Sequence, residues 1–259
     1  VGVQSFVEEE CKHLGRLHNP TQAKEAFSLL RQAGVDNISL DLIAGFPNHN
    51  MKNWQRSLDR ACSLEPEHLS LYLYHREEET LFDDELAARR LSEVDEDVQA
   101  EMYYKAKEVL QARGYEHYEI SNFARPGKSC RHNINYWIAG QYCGLGAGAA
   151  SHEGNVRFSN VIDPAEYVEL IEAGKSPVGE SEDLPLAKKW RESMMLRLRL
   201  LSPTELEKVL PLPDEDTIED VRKTLSEFAQ EGFVEEHGSA FVLSARALTV
   251  ANEILAKVV

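Results

Sequence analysis

Asn37-Ile38-Ser39-Leu40-Asp41-Leu42-Ile43-Ala44-Gly45-Phe46-Pro47 decides the fold. From Asn37 to Ile43 the residues alternate, with Ile38, Leu40 and Leu42 on one side of an extended chain and Asn37, Ser39 and Asp41 on the other. The Gly45-Phe46-Pro47 turn ends that strand. Upstream, Asn19 to Gly34 reads as a helix: Asn19 can cap it, Pro20 takes the first helical position, and Gly34 suits the left-handed position after the last turn. Ala23, Ala26, Phe27 and Leu30 give it one apolar face. Downstream, the pattern predicts a helix over about 51–64, and His68-Leu69-Ser70-Leu71-Tyr72-Leu73-Tyr74 alternates again. Val1-Gly2-Val3-Gln4-Ser5-Phe6 reads like the middle of a buried strand. Strand, helix, strand, helix, strand is a β/α repeat, which implies a parallel sheet with right-handed crossovers.

Beyond this repeat lies an acidic, charged stretch over 76–97, then a helix to about Arg113 with Val98, Met102, Ala106, Val109 and Leu110 on its buried side. Tyr115 to Phe123 looks extended, Arg125 to Asn135 polar and irregular, and Tyr142 to Ser151 small and glycine-rich. The Pro-, Gly-, Ser- and acid-rich segment 174–185 reads as a linker. After it the sequence predicts helices over about 185–200, 203–210 and 217–230. A hairpin folded at His237-Gly238-Ser239 follows, then a last helix capped by Ser244. Two domains are expected, 1–175 and a winged-helix-like 185–259.

Composition narrows the function classes. In 259 residues, 44 Asp and Glu face 28 Lys and Arg, a formal net charge of −16. That balance repels phosphates, which argues against nucleic acid and anionic membrane surfaces as partners. The acids Glu219, Asp220, Glu227 and Glu231 on the predicted recognition helix oppose DNA binding further. The 42% hydrophobic content supports a sizeable core, and no apolar run is long enough for a membrane span, so a cytoplasmic protein is expected. Cys11, Cys62, Cys130 and Cys143 have neither disulfide-scaffold nor metal-finger spacing.

Three groups of residues carry chemistry. Asp41 stands on an otherwise apolar strand, near the end at which parallel β/α sheets place their sites. A buried carboxylate there either completes an ion pair or grips ligand hydroxyls. Gln4 poses the same choice one strand earlier, between a satisfied core amide and a ligand-binding one. Arg16, in Leu14-Gly15-Arg16-Leu17-His18, is either a surface charge or a fork for a ligand carboxylate. The second group, Cys130-Arg131-His132-Asn133-Ile134-Asn135-Tyr136-Trp137, reads as a loop dense in polar and aromatic groups. Cys130 and His132 both suit a haem iron; the alternative is a loop held by Tyr136 and Trp137 with His132 on backbone. The third, Gly144-Leu145-Gly146-Ala147-Gly148-Ala149-Ala150-Ser151, permits close backbone approach to a ligand or another element, and it does not open a helix as a dinucleotide fold requires.

Together these segments resemble one family. Gly2-Val3-Gln4-Ser5-Phe6, Leu14-Gly15-Arg16-Leu17-His18, Asp41-Leu42-Ile43-Ala44-Gly45-Phe46-Pro47 and His68-Leu69-Ser70-Leu71-Tyr72 are similar to successive barrel segments of radical SAM proteins related to oxygen-independent coproporphyrinogen III oxidase (HemN). Tyr118-Glu119-Ile120-Ser121-Asn122-Phe123-Ala124 and His132-Asn133-Ile134-Asn135-Tyr136-Trp137 are similar to its HemW branch of haem chaperones. The resemblance implies the C-terminal half of a partial (β/α)6, TIM-like barrel, entered at its fourth strand, with a small α+β domain after it. It implies S-adenosylmethionine (SAM) and a 4Fe-4S cluster as cofactors of the intact family member, with Gln4 and Asp41 on the SAM ribose and Arg16 on its carboxylate. His132 belongs to the motif that marks the haem-chaperone branch.

Two departures qualify the resemblance. The Cys-x-x-x-Cys-x-x-Cys cluster loop would precede Val1, so no cluster ligand and no radical chemistry are expected of the chain as given. Ala150 also stands where the family commonly has His, with His152 two residues on. The resemblance implies haem binding and delivery, with haem or a porphyrinogen and a haem-accepting protein as partners. The alternatives are oxidative decarboxylation of a porphyrinogen, and a non-catalytic haem-binding fragment.

Overall fold

The computed structural model describes residues 1–76, 81–88 and 90–259. Part of the acidic stretch 76–97 thus lies outside the described residues. The chain divides into two compact units, Val1–Cys130 and Arg131–Val259.

The first unit runs β1 (Gly2–Gln4), α1 (Glu8–His13), α2 (Pro20–Gln32), β2 (Ser39–Ala44), α3 (Met51–Ser63), β3 (His68–Leu73), α4 (Leu81–Ala87), α5 (Glu96–Ala112), β4 (Glu116–Glu119) and β5 (Asn122–Ala124). Helix α2 starts where the sequence predicts: Asn19 Oδ1 accepts from Gln22 N, and the Gln22 side chain accepts from Asn19 N, a reciprocal capping box with Pro20 inside it. Gly34, at φ 85°, takes the left-handed turn beyond the helix. Strands β1, β2 and β3 are parallel, with Ser39 opposite His68 and Asp41 opposite both Gly2 and Ser70. The extended segment 115–123 becomes a β4–β5 hairpin, and β5 pairs antiparallel to β3. The sheet is open, in the order β1-β2-β3-β5-β4.

Alternation divides this sheet into two faces. Val3, Leu40, Leu42, Ala44, Leu69, Leu71 and Phe123 pack with Phe27 of α2, Trp54 and Leu58 of α3, and Met102 and Leu110 of α5 in one core. Ser39, Asp41 and Ile43 lie on the other face and are only half-buried.

The second unit comprises α6 (Arg131–Trp137), β6 (Ala150–Glu153), β7 (Val156–Asn160), α7 (Pro164–Glu172), β8 (Val178–Asp183), α8 (Leu186–Arg197), β9 (Thr204–Glu205), α9 (Glu215–Gln230), β10 (Val234–His237), β11 (Ala240–Leu243) and α10 (Ala251–Leu255). Strands β6, β7 and β8 form an antiparallel sheet. Segment 174–185, expected as a linker, therefore contains a strand. Its side chains are exposed from Val178 to Asp183, so backbone pairing rather than apolar patterning holds it, and composition alone misreads it. The helix predicted over 203–210 is instead β9 followed by a 3-10 turn at Leu206–Lys208, because Thr204 and Glu205 add to the β10–β11 hairpin. The 217–230 helix and the hairpin folded near Gly238 form as read. No helix among the described residues is long and apolar enough to cross a membrane.

A buried polar cluster in the first unit sets an acid limit on stability. Glu10 accepts from Ser5 Oγ at 2.5 Å and Asn53 Nδ2 at 2.8 Å, and His49 Nε2 lies 3.7 Å from it. His49 stacks on Phe46 and His117 stacks on Phe123, and burial lowers each histidine to about 4. Below pH 6.5 the unfolded chain takes up protons that the folded chain refuses. Stability then falls as pH drops from 6.5 towards 4, by up to about 1.4 kcal/mol per pH unit for each histidine. Glu10, raised by burial, opposes this, since it holds its proton in the folded chain to a higher pH. We expect urea midpoints to fall across that window and His49→Gln to make the decline shallower; equal slopes for parent and variant would refute the assignment.

Candidate functional site

The open face of the first sheet is polar. Gln4 adopts φ 65° at a register shift in β1, and its Nε2 lies 3.0 Å from where a Cβ on Gly2 would be. Gly2 is in register with Asp41, so the amide and the carboxylate share one face. Asp41 corrects one expectation: it is half-buried rather than buried, and it makes no ion pair with a Lys or Arg among the described residues. A carboxylate left open at the sheet face keeps enough water to remain unpaired. Arg16 is exposed, in the loop after α1, and His18 Nε2 from that loop sits 3.4 Å from Val3 O of β1. The fold thus gathers Gln4 and Asp41 on one face and ties the Arg16 loop to their sheet.

Sequence reasoning passed over His68, which is buried beside them. Tyr118 Oη accepts from Cys130 N at 3.3 Å and is hydrogen-bonded to His68 Nε2 at 2.9 Å. His68 Nδ1 is hydrogen-bonded to Ser39 Oγ at 2.8 Å, so both ring nitrogens are engaged. Burial lowers the pKa of His68, and the Asp41 charge partly opposes this. The signal was present in the sequence: His68 and Ser70 occupy the same period-two positions on β3 that Ser39 and Asp41 occupy on β2.

The second unit holds a pocket of about 320 Å³ between α6, β6 and α8. The segment read as an irregular loop is in fact helix α6, with His132 exposed on its first turn. Two polar residues of this segment explain the misreading: Asn133 and Asn135 have low helix propensity, yet Asn135 Nδ2 donates to Gln141 O at 3.0 Å and so closes the helix end. Rings run from the motif inward: His132 to Tyr136 at 4.8 Å, Tyr136 to Tyr142 at 4.6 Å, and Tyr142 to His152 at 6.0 Å between centroids. Arg199 lies over the Trp137 ring at 4.6 Å. His152, buried on β6, has Nδ1 at 3.1 Å from Gly140 O and Nε2 against Lys189 Nζ. Lys189 is a residue that sequence reasoning missed, because the second of two consecutive lysines, Lys188 and Lys189, reads as surface charge.

The small-residue segment makes its close approach to its own sheet. A Cβ on Gly144 would fall 2.2 Å from Ala150 O, and Asn160 Nδ2 donates to Gly146 O at 2.8 Å. Cys11 and Cys62 are buried, Cys130 half-buried and Cys143 exposed. Among the described residues no three His, Cys, Asp or Glu side chains converge as metal ligands, so they do not fit a cluster cradle.

No family model matches the sequence. The chain is 31% identical over 253 residues to the heme chaperone HemW of Bacillus subtilis (strain 168), covering 98% of this chain and 67% of that protein. The chain belongs to the HemW family. The HemW of Escherichia coli (strain K12) is 40% identical over 149 residues, which are 58% of this chain and 38% of that HemW. A solved coproporphyrinogen III oxidase (HemN) from Escherichia coli, described as a radical SAM enzyme, superposes with a TM-score of 0.80 at 18% identity. That match covers 99% of this chain and 62% of the oxidase, and it shows the fold alone. The chain spans about two thirds of the length of the HemW of Bacillus subtilis.

The Gly144 approach gives a direct check on the pocket's frame. Gly144→Ala sets a methyl group against backbone, and overpacking of this kind costs about 1–3 kcal/mol. We expect a lower urea midpoint for Gly144→Ala; unfolding at the parent's midpoint would show that the segment is not pressed on β6.

Proposed function

We propose that this chain is the SAM-binding and haem-handling part of a HemW-type haem chaperone, which binds haem and delivers it to an acceptor protein. The observation that carries the reading is 31% identity to a heme chaperone HemW over 98% of the chain, with Tyr136 and Trp137 of the His132–Trp137 motif lining a pocket. Gln4 and Asp41 are the groups for the ribose hydroxyls of SAM, and Arg16 is the fork for its carboxylate. When bound beside a reduced cluster, SAM supplies a radical initiator. The described residues hold no cradle for that cluster, and no step is derived through it. His132, exposed on α6, and Cys130, whose backbone Tyr118 fixes, are the candidate haem ligands. The net charge of −16 opposes nucleic acid as a partner.

Haem titration tests the reading. The parent chain should shift the Soret band, and Cys130→Ala and His132→Ala should each abolish or displace that shift. A parent chain that leaves the Soret band of free haem unchanged would remove the proposal. Calorimetry with SAM tests the other site: Asp41→Ala should weaken binding about tenfold through the loss of hydrogen bonds to a charged acceptor, and an unchanged affinity would dismiss Asp41 from that role.

A further inference from the structure

Lys189 of α8 is only 6% exposed, yet it lines the pocket in the second unit. Its amine has three N–H donors, and His152 Nε2 takes one of them. The histidine is fixed in that accepting role, because its Nδ1 is spent on Gly140 O at 3.1 Å. Carboxylates are near, but they are engaged elsewhere. Glu192 accepts from Arg157 Nη1 at 2.9 Å, and the same arginine holds Glu182 at 2.6 Å. Among the described residues no carboxylate comes within 4.0 Å of the Lys189 amine. An ammonium buried without a counter-ion is costly unless something else pairs with it. Burial accordingly pushes Lys189 below the ordinary lysine range, with Glu192 pulling the other way.

Three aromatic side chains, Tyr136, Trp137 and Tyr142, share the pocket's lining with Lys189. Tyr136 and Tyr142 meet edge to face, and Trp137 Nε1 is buried with no hydrogen-bond partner among the described residues. Aromatic faces and a cationic donor in one pocket match a planar ligand that carries a carboxylate on its rim. At about 320 Å³ the pocket takes an edge of such a ligand.

We propose that Lys189, positioned by His152, anchors a carboxylate of a flat aromatic ligand in this pocket. On the haem reading above, on which this identification rests, the carboxylate is a propionate of the tetrapyrrole. The recognising chemistry is the same for a free aromatic carboxylate.

The test uses the full chain and three probes: haem, haem dimethyl ester and 3-phenylpropionate. The parent should bind haem about tenfold to a hundredfold more tightly than the ester, as expected for a charge-assisted pair. Lys189→Met should erase that preference while keeping affinity for the ester, and it should abolish 3-phenylpropionate binding. The ester comparison needs no variant, so it stands even if Lys189→Met fails to fold. Equal haem and ester affinities in the parent would overturn the anchor and leave haem binding intact. Binding of 3-phenylpropionate through Lys189 without any haem binding would sustain the anchor and retire the haem reading. A parent chain that binds none of the three overturns both.

Discussion

The register between β2 and β3 is the constraint on which the first unit depends. Six consecutive residues, Ser39 to Ala44, pair with His68 to Leu73. Because side chains alternate strictly, a slip of one position would turn Leu40 and Leu42 to the open face and bury Ser39 and Asp41. Phe27, Trp54, Leu58 and Met102 leave no such freedom, since they fill the space over Leu40, Leu42, Leu69 and Leu71. The apolar side therefore determines the polar side. Gln4, Asp41 and His68 are where they are because the helices hold the other half of the alternation.

The second unit solves a different problem. Its pocket borders a short helix and a small antiparallel sheet whose outer strand, β8, is exposed along its length. What stiffens this frame is close backbone contact at Gly144 and the hydrogen bonds of Asn135, Asn160 and His152. These polar contacts add to the apolar side chains that the same unit buries, among them Trp190, Met194 and Leu198 of and beside α8. Rigid supports of this kind suit a site better than a loop of free side chains does.

Much of this was legible in the residues. The β/α order, the Asn19 cap and the alternation of β2 followed from spacing and cap chemistry, which act over a few residues. The motif segments pointed to the family because they carry unusual residue types in fixed order. What the sequence hid was long-range. Helix α6 was obscured by two asparagines, one of which, Asn135, bonds outside the helix. Strand β8 was obscured because only its backbone is used. Strand β9 is two residues long, and its identity depends on a hairpin some thirty-five residues later in the chain. The His152–Lys189 pair joins a strand and a helix 37 residues apart, and no periodicity brings it into view.

The cysteines carry one more consequence, for handling and for labelling. Burial raises the thiol pKa of both Cys11 and Cys62, so those two sulfurs stay protonated and out of reach of solvent reagents. Cys143 is exposed, in the segment that leads from the α6 motif to β6. Among these thiols, air oxidation and alkylating reagents therefore meet Cys143 first. A dye placed there would sit next to Tyr142, which makes this thiol a natural reporter on the aromatic pocket.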